Sequence, residues 1–214
     1  MAVGSDVVRN YYAELGAPGL RSRTRPDWDS IIVDEVAAYL GTRERVLDVG
    51  CGYGRIAHPL VVAGYQVIGL DISEPLLRYA SATTAGRAVR LPLALADMSR
   101  MPFREASFDA VICLWSAFYE LVDTIDQAAA LAEMKRVLVQ GGLALIEGPL
   151  PPPGDDDLSA DRISHGVVEG IPMQGYVHDL ETLERRCAEA GIADYDVCVR
   201  DWAGRDRTIL TLRR

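Results

Sequence analysis

Five short, nearly continuous apolar runs recur up to residue 147: Arg45 to Val49, Gln66 to Ile72, Leu91 to Ala96, Phe108 to Leu114 and Leu143 to Glu147. Runs of this length with little polar alternation predict parallel strands covered on both faces. Between them the spacing turns helical. Ile56, Leu60 and Ala63 recur at helical intervals after the first run, and Leu76, Leu77 and Ala80 after the second. Ile125 to Leu138 predicts the best-defined helix, with Ile125, Ala128, Leu131, Met134 and Leu138 on one side and a stop at Gly141-Gly142. The third and fourth runs leave room only for a short helix or turn around Ser99 to Arg104. Upstream, helical segments are expected around Asp6 to Leu15 and Trp28 to Leu40.

Strands alternating with helices imply a parallel sheet with right-handed crossovers. After the fifth run comes a stretch without helical or alternating pattern, Gly148 to Val177, and then a helix from Asp179 to Ala190 that Gly191 ends. Two further strand-like runs, Asp194 to Arg200 and Arg207 to Leu212, lie too close together for anything but an antiparallel pair. The fold class that follows is α/β: a Rossmann-like seven-stranded sheet, mostly parallel with a reversed last strand, and helices on both faces. A chain of 214 residues suits one domain, 1-214. Within it the expected parts are an N-terminal helical cap (1-41), a cofactor-binding half (42-147), a substrate lid (148-178) and a terminal helix with its strand pair (179-214).

Hydrophobic residues make up 49% of the chain and charged ones 25%, as in soluble globular proteins. A formal charge of −9 disfavours nucleic acid as a partner, because phosphate backbones are bound by clustered Lys and Arg. No apolar run approaches the roughly 20 residues of a membrane helix. Asp6, Arg9 and Glu14 interrupt any apolar signal core, so a cytoplasmic protein is expected. Cys51, Cys113, Cys187 and Cys198 lack paired spacing and read as reduced packing residues. The oligomeric state is open.

The candidate chemistry sits in Val46-Leu47-Asp48-Val49-Gly50-Cys51-Gly52-Tyr53-Gly54-Arg55. Glycines at 50, 52 and 54 permit positive φ and a close approach of backbone to a ligand. Many nucleotide-binding folds share such a turn, and two acids sharpen it. Asp71 follows the second strand, where a carboxylate can accept ribose hydroxyl hydrogen bonds. Asp97 follows the third, where it can meet an adenine amine, with the Met98 N–H beside it. A nicotinamide dehydrogenase would more often show GxGxxG and a parallel last strand.

VLDVGCGYGR, VIGLDIS, LALADM before MPF, FDAVICLWSAF and EMKRVLVQGGLALIE, in that order, resemble the successive motifs of class I S-adenosylmethionine-dependent methyltransferases. The resemblance covers residues 45 to 147 and implies S-adenosylmethionine as cofactor and S-adenosylhomocysteine as product. It implies that Gly50, Cys51 and Gly52 line the methionine portion, Asp71 and Ile72 the ribose and adenine, Asp97 and Met98 the adenine edge, and Leu114 and Trp115 the methionine amine. Asp48 would fix the loop, and Gly54 helix packing. Arg21-Ser22-Arg23-Thr24 is similar to a run in glycine N-methyltransferases, which implies that Arg23 holds the cofactor carboxylate. A solvated basic linker is the other reading. Tyr11 and Tyr12 either close over the methyl group or pack on the core.

Methyl transfer needs alignment and desolvation more than a strong acid, and a hydroxyl nucleophile would also need a base. His178 and His165 are the candidate bases, each also readable as a surface or helix-start histidine, while His58 reads as structural. Leu114-Trp115-Ser116-Ala117 is not the (Asp/Asn/Ser)-Pro-Pro-aromatic run of base-amine methyltransferases. Glu147-Gly148-Pro149 is not the magnesium-holding Asp-Asn pair of catechol O-methyltransferases, and no double-glutamate hairpin of protein arginine methyltransferases is seen. The expectation is a metal-independent enzyme that methylates an O or N nucleophile of a small molecule. A non-methylating reaction of the same fold, such as cyclisation, and a non-catalytic cofactor-binding partner protein stay open. Pro151-Pro152-Pro153-Gly154 with Asp155-Asp156-Asp157 is expected to be a surface segment near the substrate.

Overall fold

The computed structural model describes residues 3–84, 90–151 and 162–214. Its strands are β1 (Arg45–Val49), β2 (Gln66–Asp71), β3 (Leu93–Leu95), β4 (Phe108–Cys113), β5 (Leu138–Pro149), β6 (Ile163–Val168), β7 (Ile171–Tyr176), β8 (Tyr195–Asp201) and β9 (Asp206–Arg213). Its helices are α1 (Val3–Ser22), α2 (Pro26–Leu40), α3 (Ala57–Val62), α4 (Glu74–Thr84), α5 (Thr124–Val137) and α6 (Leu180–Glu189), with a 3₁₀ turn at Ala117–Glu120.

Seven strands form one sheet in the order β3-β2-β1-β4-β5-β9-β8. The pairs from β3 to β5 are parallel, and β9 runs antiparallel to both β5 and β8. The expected α/β class with one reversed strand is therefore the observed one. Side chains alternate across the sheet with the strand period of two. In β1 and β4, Leu47, Val49, Val111 and Cys113 pack with Leu131 and Met134 of α5 and Leu183 and Cys187 of α6. Val46, Ala110 and Ile112 face the other way, onto Ile32, Val36 and Leu40 of α2 and Leu60 of α3. Each such side chain is essentially fully buried, and the Leu, Val, Ile and Met ones contribute about 1.5–3 kcal/mol each relative to exposure. All four cysteines are free, and three of them are buried.

Three local expectations change. Leu131, Met134 and Leu138 are buried as expected, but α5 also buries Gln127, Ala130 and Val137, while Ile125 is 76% exposed. The helix starts one residue before Ile125, where Asp123 accepts the Ile125 N–H at 2.8 Å, and Ile125 in its first turn lies outside the buried face. The helix also stops at Val137, because Leu138 is already extended and pairs with Phe108; Gly141 lies inside β5 instead. Thirdly, the patternless stretch before Val177 contains the hairpin β6–β7, closed by Glu169-Gly170 with φ of 55° and 82°. Two consecutive positive φ values make the two-residue turn that matches strand twist. Most of β6 is exposed, so no buried face imposed alternation on its sequence. Of the Pro-rich and Asp-rich segment, Pro152 to Asp157 lie outside the described residues.

α1 kinks at Gly16 (φ 62°, ψ 178°) and lies against α4 and β7. This crossing places Tyr12 above the carboxyl ends of the parallel strands.

Candidate active site

The carboxyl ends of β1 to β4 open on one cleft with about 1130 Å³ of empty space, part of it continuous with solvent. At the end of β1, Gly50, Gly52 and Gly54 have φ of 74°, 54° and 81°. A Cβ on Gly50 would lie 2.4 Å from the Ala117 Cβ, so this turn and the one after β4 approach more closely than any side chain allows. The N–H groups of Gly50 and Cys51 both donate to Leu70 O, at 2.8 and 3.0 Å.

Asp71, at the end of β2, ties the turns together. Its Oδ2 accepts the Gly52 N–H at 2.7 Å and its Oδ1 the Ser73 N–H at 2.8 Å. Each carboxylate oxygen accepts more than one hydrogen bond, so lone pairs are left for a ligand. Burial raises its pKa, and the N–H groups of Ser73, Gly52 and Ile72 oppose the rise. Burial, and then the Asp71 charge, push Asp48 up to about 7. At the end of β3, Asp97 Oδ1 accepts from the Ser99 N–H at 2.9 Å and its hydroxyl at 2.8 Å, which aims the other oxygen away from that turn.

After β4, Trp115 and Ser116 both adopt left-handed backbone, with φ of 56° and 69°, a conformation that non-glycine residues rarely hold unaided. Here Glu147 holds it: Oε2 accepts the Trp115 N–H at 2.8 Å and Oε1 pairs with Arg207, whose Nη2 donates to Ser116 Oγ at 3.0 Å. Glu147 is buried, at 2% side-chain exposure, and Arg207 is mostly covered, at 11%. The 3₁₀ turn that follows carries Glu120 to the cleft wall, where the Tyr12 hydroxyl donates to its Oε1.

Of the residues expected around the cofactor, Tyr12, Gly50, Cys51, Gly52, Asp71, Ile72, Asp97, Met98, Leu114 and Trp115 line this cleft. Arg23 does not; its guanidinium pairs with Glu169 at 3.6 Å on the surface, and both side chains are about half exposed. The arginine that does line the cleft is Arg55, stacked 3.8 Å from the Trp115 ring centroid and hydrogen-bonded to Asp29 Oδ1 at 2.5 Å. Its place directly after the glycine turn was a usable signal. Tyr11 is buried in the core and packs edge-on against Tyr12 at 5.0 Å.

Neither candidate histidine lines the cleft. His165 sits on the exposed face of β6, opposite Gln174. His178 is fully buried among the rings of Phe118, Tyr119 and Tyr176, at 5.4, 4.8 and 4.6 Å, and neither ring nitrogen has a hydrogen-bond partner among the described residues. Burial, then Arg186 and Arg162, lower its pKa to about 3 against a small opposing effect of Asp179. An imidazole held neutral in this way does not take up a proton near pH 7. Glu120 is the missed acid. A single carboxylate inside the apolar run Phe118-Tyr119-Glu120-Leu121-Val122 was its only trace.

A pH-dependence of stability follows from His178. Its folded pKa lies below its unfolded value, so its contribution is complete above about pH 6.5 and is lost as pH falls toward about 3. His178→Phe should flatten this acid limb and exceed the wild type in stability by up to about 2.7 kcal/mol at about pH 4.5. Urea unfolding across that range checks it. Parallel curves for the two proteins would mean that the imidazole charges without cost.

Comparison with known proteins places this geometry. Residues 46–142 match the profile described as a methyltransferase domain. A lysine and N-terminal methyltransferase of eEF1A from Bos taurus is 36% identical over 110 residues, covering 49% of this chain and 16% of that protein. Nocamycin O-methyltransferase from Saccharothrix syringae is 36% identical over 127 residues, covering 58% of this chain and 44% of that enzyme. The matched segment spans half or less of these curated relatives. In fold, the Burkholderia thailandensis 1,6-didemethyltoxoflavin-N1-methyltransferase, solved with that compound and S-adenosylhomocysteine, superposes with a TM-score of 0.72 at 18% identity, covering 100% of this chain and 91% of that one. Residues 46–142 are thus similar to a methyltransferase domain, and the chain shares the fold of an enzyme solved with S-adenosylhomocysteine, the demethylated form of S-adenosylmethionine. The cradle fits that group: side-chain-free backbone at Gly50 and Gly52 and a carboxylate at each of the next two strand ends.

Proposed function

We propose that the protein transfers a methyl group from S-adenosylmethionine to an N or O nucleophile of a small molecule, without a metal. The observation that carries this reading is the cleft itself, into which successive strand ends bring a glycine cradle, Asp71 and Asp97. When bound, S-adenosylmethionine supplies an electrophilic methyl carbon on a cationic sulfur. The chain's own part is to orient and to exclude water, and orientation alone is worth on the order of 7–11 kcal/mol. Asp71 would hold the ribose, Asp97 and Met98 the adenine edge, and the turn at Leu114 and Trp115 the methionine amine. Arg55 takes the part assigned to Arg23, as the cation at the methionine end. Glu120 takes the part assigned to the histidines, as the carboxylate beside the reacting group.

Isothermal titration with S-adenosylhomocysteine and with NADH tests the reading. Micromolar affinity for the first, about −8 kcal/mol, and none for the second is the expected result. Binding of NADH alone would overturn it. Mass spectrometry of acceptors incubated with methyl-labelled cofactor, with and without chelator, separates methyl transfer from cyclisation and tests the absence of a metal.

A further inference from the structure

Two hollows meet at one carboxylate. Glu120 lines the cofactor cleft and also a second pocket, with about 840 Å³ of empty space, between the turn after β4, the end of β5 and the β6–β7 hairpin. Tyr12 of α1 donates its O–H to Glu120 Oε1, which orients the carboxylate and leaves Oε2 to a ligand. Much of the remaining wall of the second pocket is apolar or aromatic, with Leu150, Val168, Met173 and Tyr176, and its polar groups are uncharged: Ser116, Ser164, Gln174 and the imidazole of His178, which burial keeps neutral. Neither Arg nor Lys lines it among the described residues. An anion there would meet a carboxylate and no compensating cation, whereas an ammonium group would gain a charged partner in a poorly solvated place.

We propose that this second pocket binds the methyl acceptor, and that the acceptor is an amine carried on an apolar or aromatic body, with its nitrogen at Glu120. The inference rests on the reading of the neighbouring cleft as the S-adenosylmethionine site. It adds the class of the acceptor and the side from which it arrives. The carboxylate faces Tyr11 and Tyr12 from α1, Asp71 from the end of β2 and Cys113 from β4. Burial, opposed by the Tyr12 hydrogen bond and aided by Asp71, raises its pKa to about 8, so the neutral acid prevails in the empty site at pH 7, and a bound ammonium at about pH 8 would hold it as the carboxylate.

Two methionines report on the two hollows separately, since Met98 lines the cofactor cleft and Met173 the second pocket. The protein is labelled with ¹³C at the methionine methyls and saturated with S-adenosylhomocysteine at about pH 8, then titrated with benzylamine, benzyl alcohol or benzoate. S-Adenosylhomocysteine is expected to shift Met98. Benzylamine should then shift Met173 and bind at least tenfold more tightly than benzyl alcohol, with benzoate weakest. Glu120→Gln should bring amine and alcohol within about twofold of each other. If S-adenosylhomocysteine leaves Met98 unmoved, the cofactor reading falls and this inference with it. If Met98 moves but benzylamine leaves Met173 unmoved, or benzoate binds as well as the amine, this inference alone is overturned. Those comparisons need only the wild-type protein, so they stand even where Glu120→Gln fails to fold. A folded Glu120→Gln protein that keeps the full amine preference also overturns it.

Discussion

Asp71→Ala is expected to lower the affinity for S-adenosylhomocysteine by about 100-fold, near 2.7 kcal/mol, and to lower the melting temperature of the free protein. The first effect comes from hydrogen bonds between ligand hydroxyls and a charged acceptor, each worth about 1.5–3 kcal/mol. The second comes from the structural use of the same oxygens, since Gly52 N–H and Ser73 N–H both donate to this carboxylate. The two uses reinforce each other, because the ligand-facing lone pairs are aimed by the bonds to the turns. Asp71→Asn, which keeps the volume and one acceptor oxygen, should recover part of both effects. Calorimetry and thermal unfolding on the same preparations provide the readouts. A folded Asp71→Ala protein with undiminished affinity would show that this carboxylate only braces the loop.

Glu147→Ala should be the most destabilising single change at the site, by about 3–5 kcal/mol, a large part of a typical domain's 5–15. Removing the carboxylate strands the Arg207 guanidinium in a place where only 11% of its side chain meets water. It also leaves the Trp115 N–H without its acceptor, in a turn whose left-handed backbone at Trp115 and Ser116 has to be held. Adding Arg207→Ala should return part of the loss, because the pair is removed together and no buried charge is left alone. Urea unfolding of the two single variants and the double variant measures the coupling. Strict additivity would contradict a direct ion pair between them.

The parts of this site that were legible in the chain are those built from local spacing. Three alternate glycines directly after an apolar run had to make a tight turn at a strand end, and an acid at the end of each of the next two runs had to stand at the same edge of a parallel sheet. The helix after Asp123 was legible in position and in the inward face of Leu131 and Met134, but not in its first turn, where Ile125 faces outward and Gln127 inward. Gln127 is fully buried and donates to Leu121 O at 2.6 Å, so a polar residue occupies the inner face that periodicity assigns to apolar ones. The β6–β7 hairpin escaped for the opposite reason: an exposed hairpin has no buried face, and only its Glu169-Gly170 turn marked it.

By itself, then, the sequence determined the order of the strands in the seven-stranded sheet and of the helices between them, the reversed strand near the end, the glycine turn and the two acids, since each depends on residues within a few positions of one another. The tertiary structure alone decided which charged groups share a space. Tyr12 meets Glu120 across more than a hundred residues of chain, and Glu147 meets Arg207 across sixty. His178, with the same imidazole as His165, is made a neutral ring by burial among Phe118, Tyr119 and Tyr176, while His165 stays on an exposed strand. The physical reason is that protonation and ion pairing depend on how far a group is removed from water and on what charge stands beside it. Packing of distant elements sets both quantities, and neither is a property of a residue's neighbours along the chain.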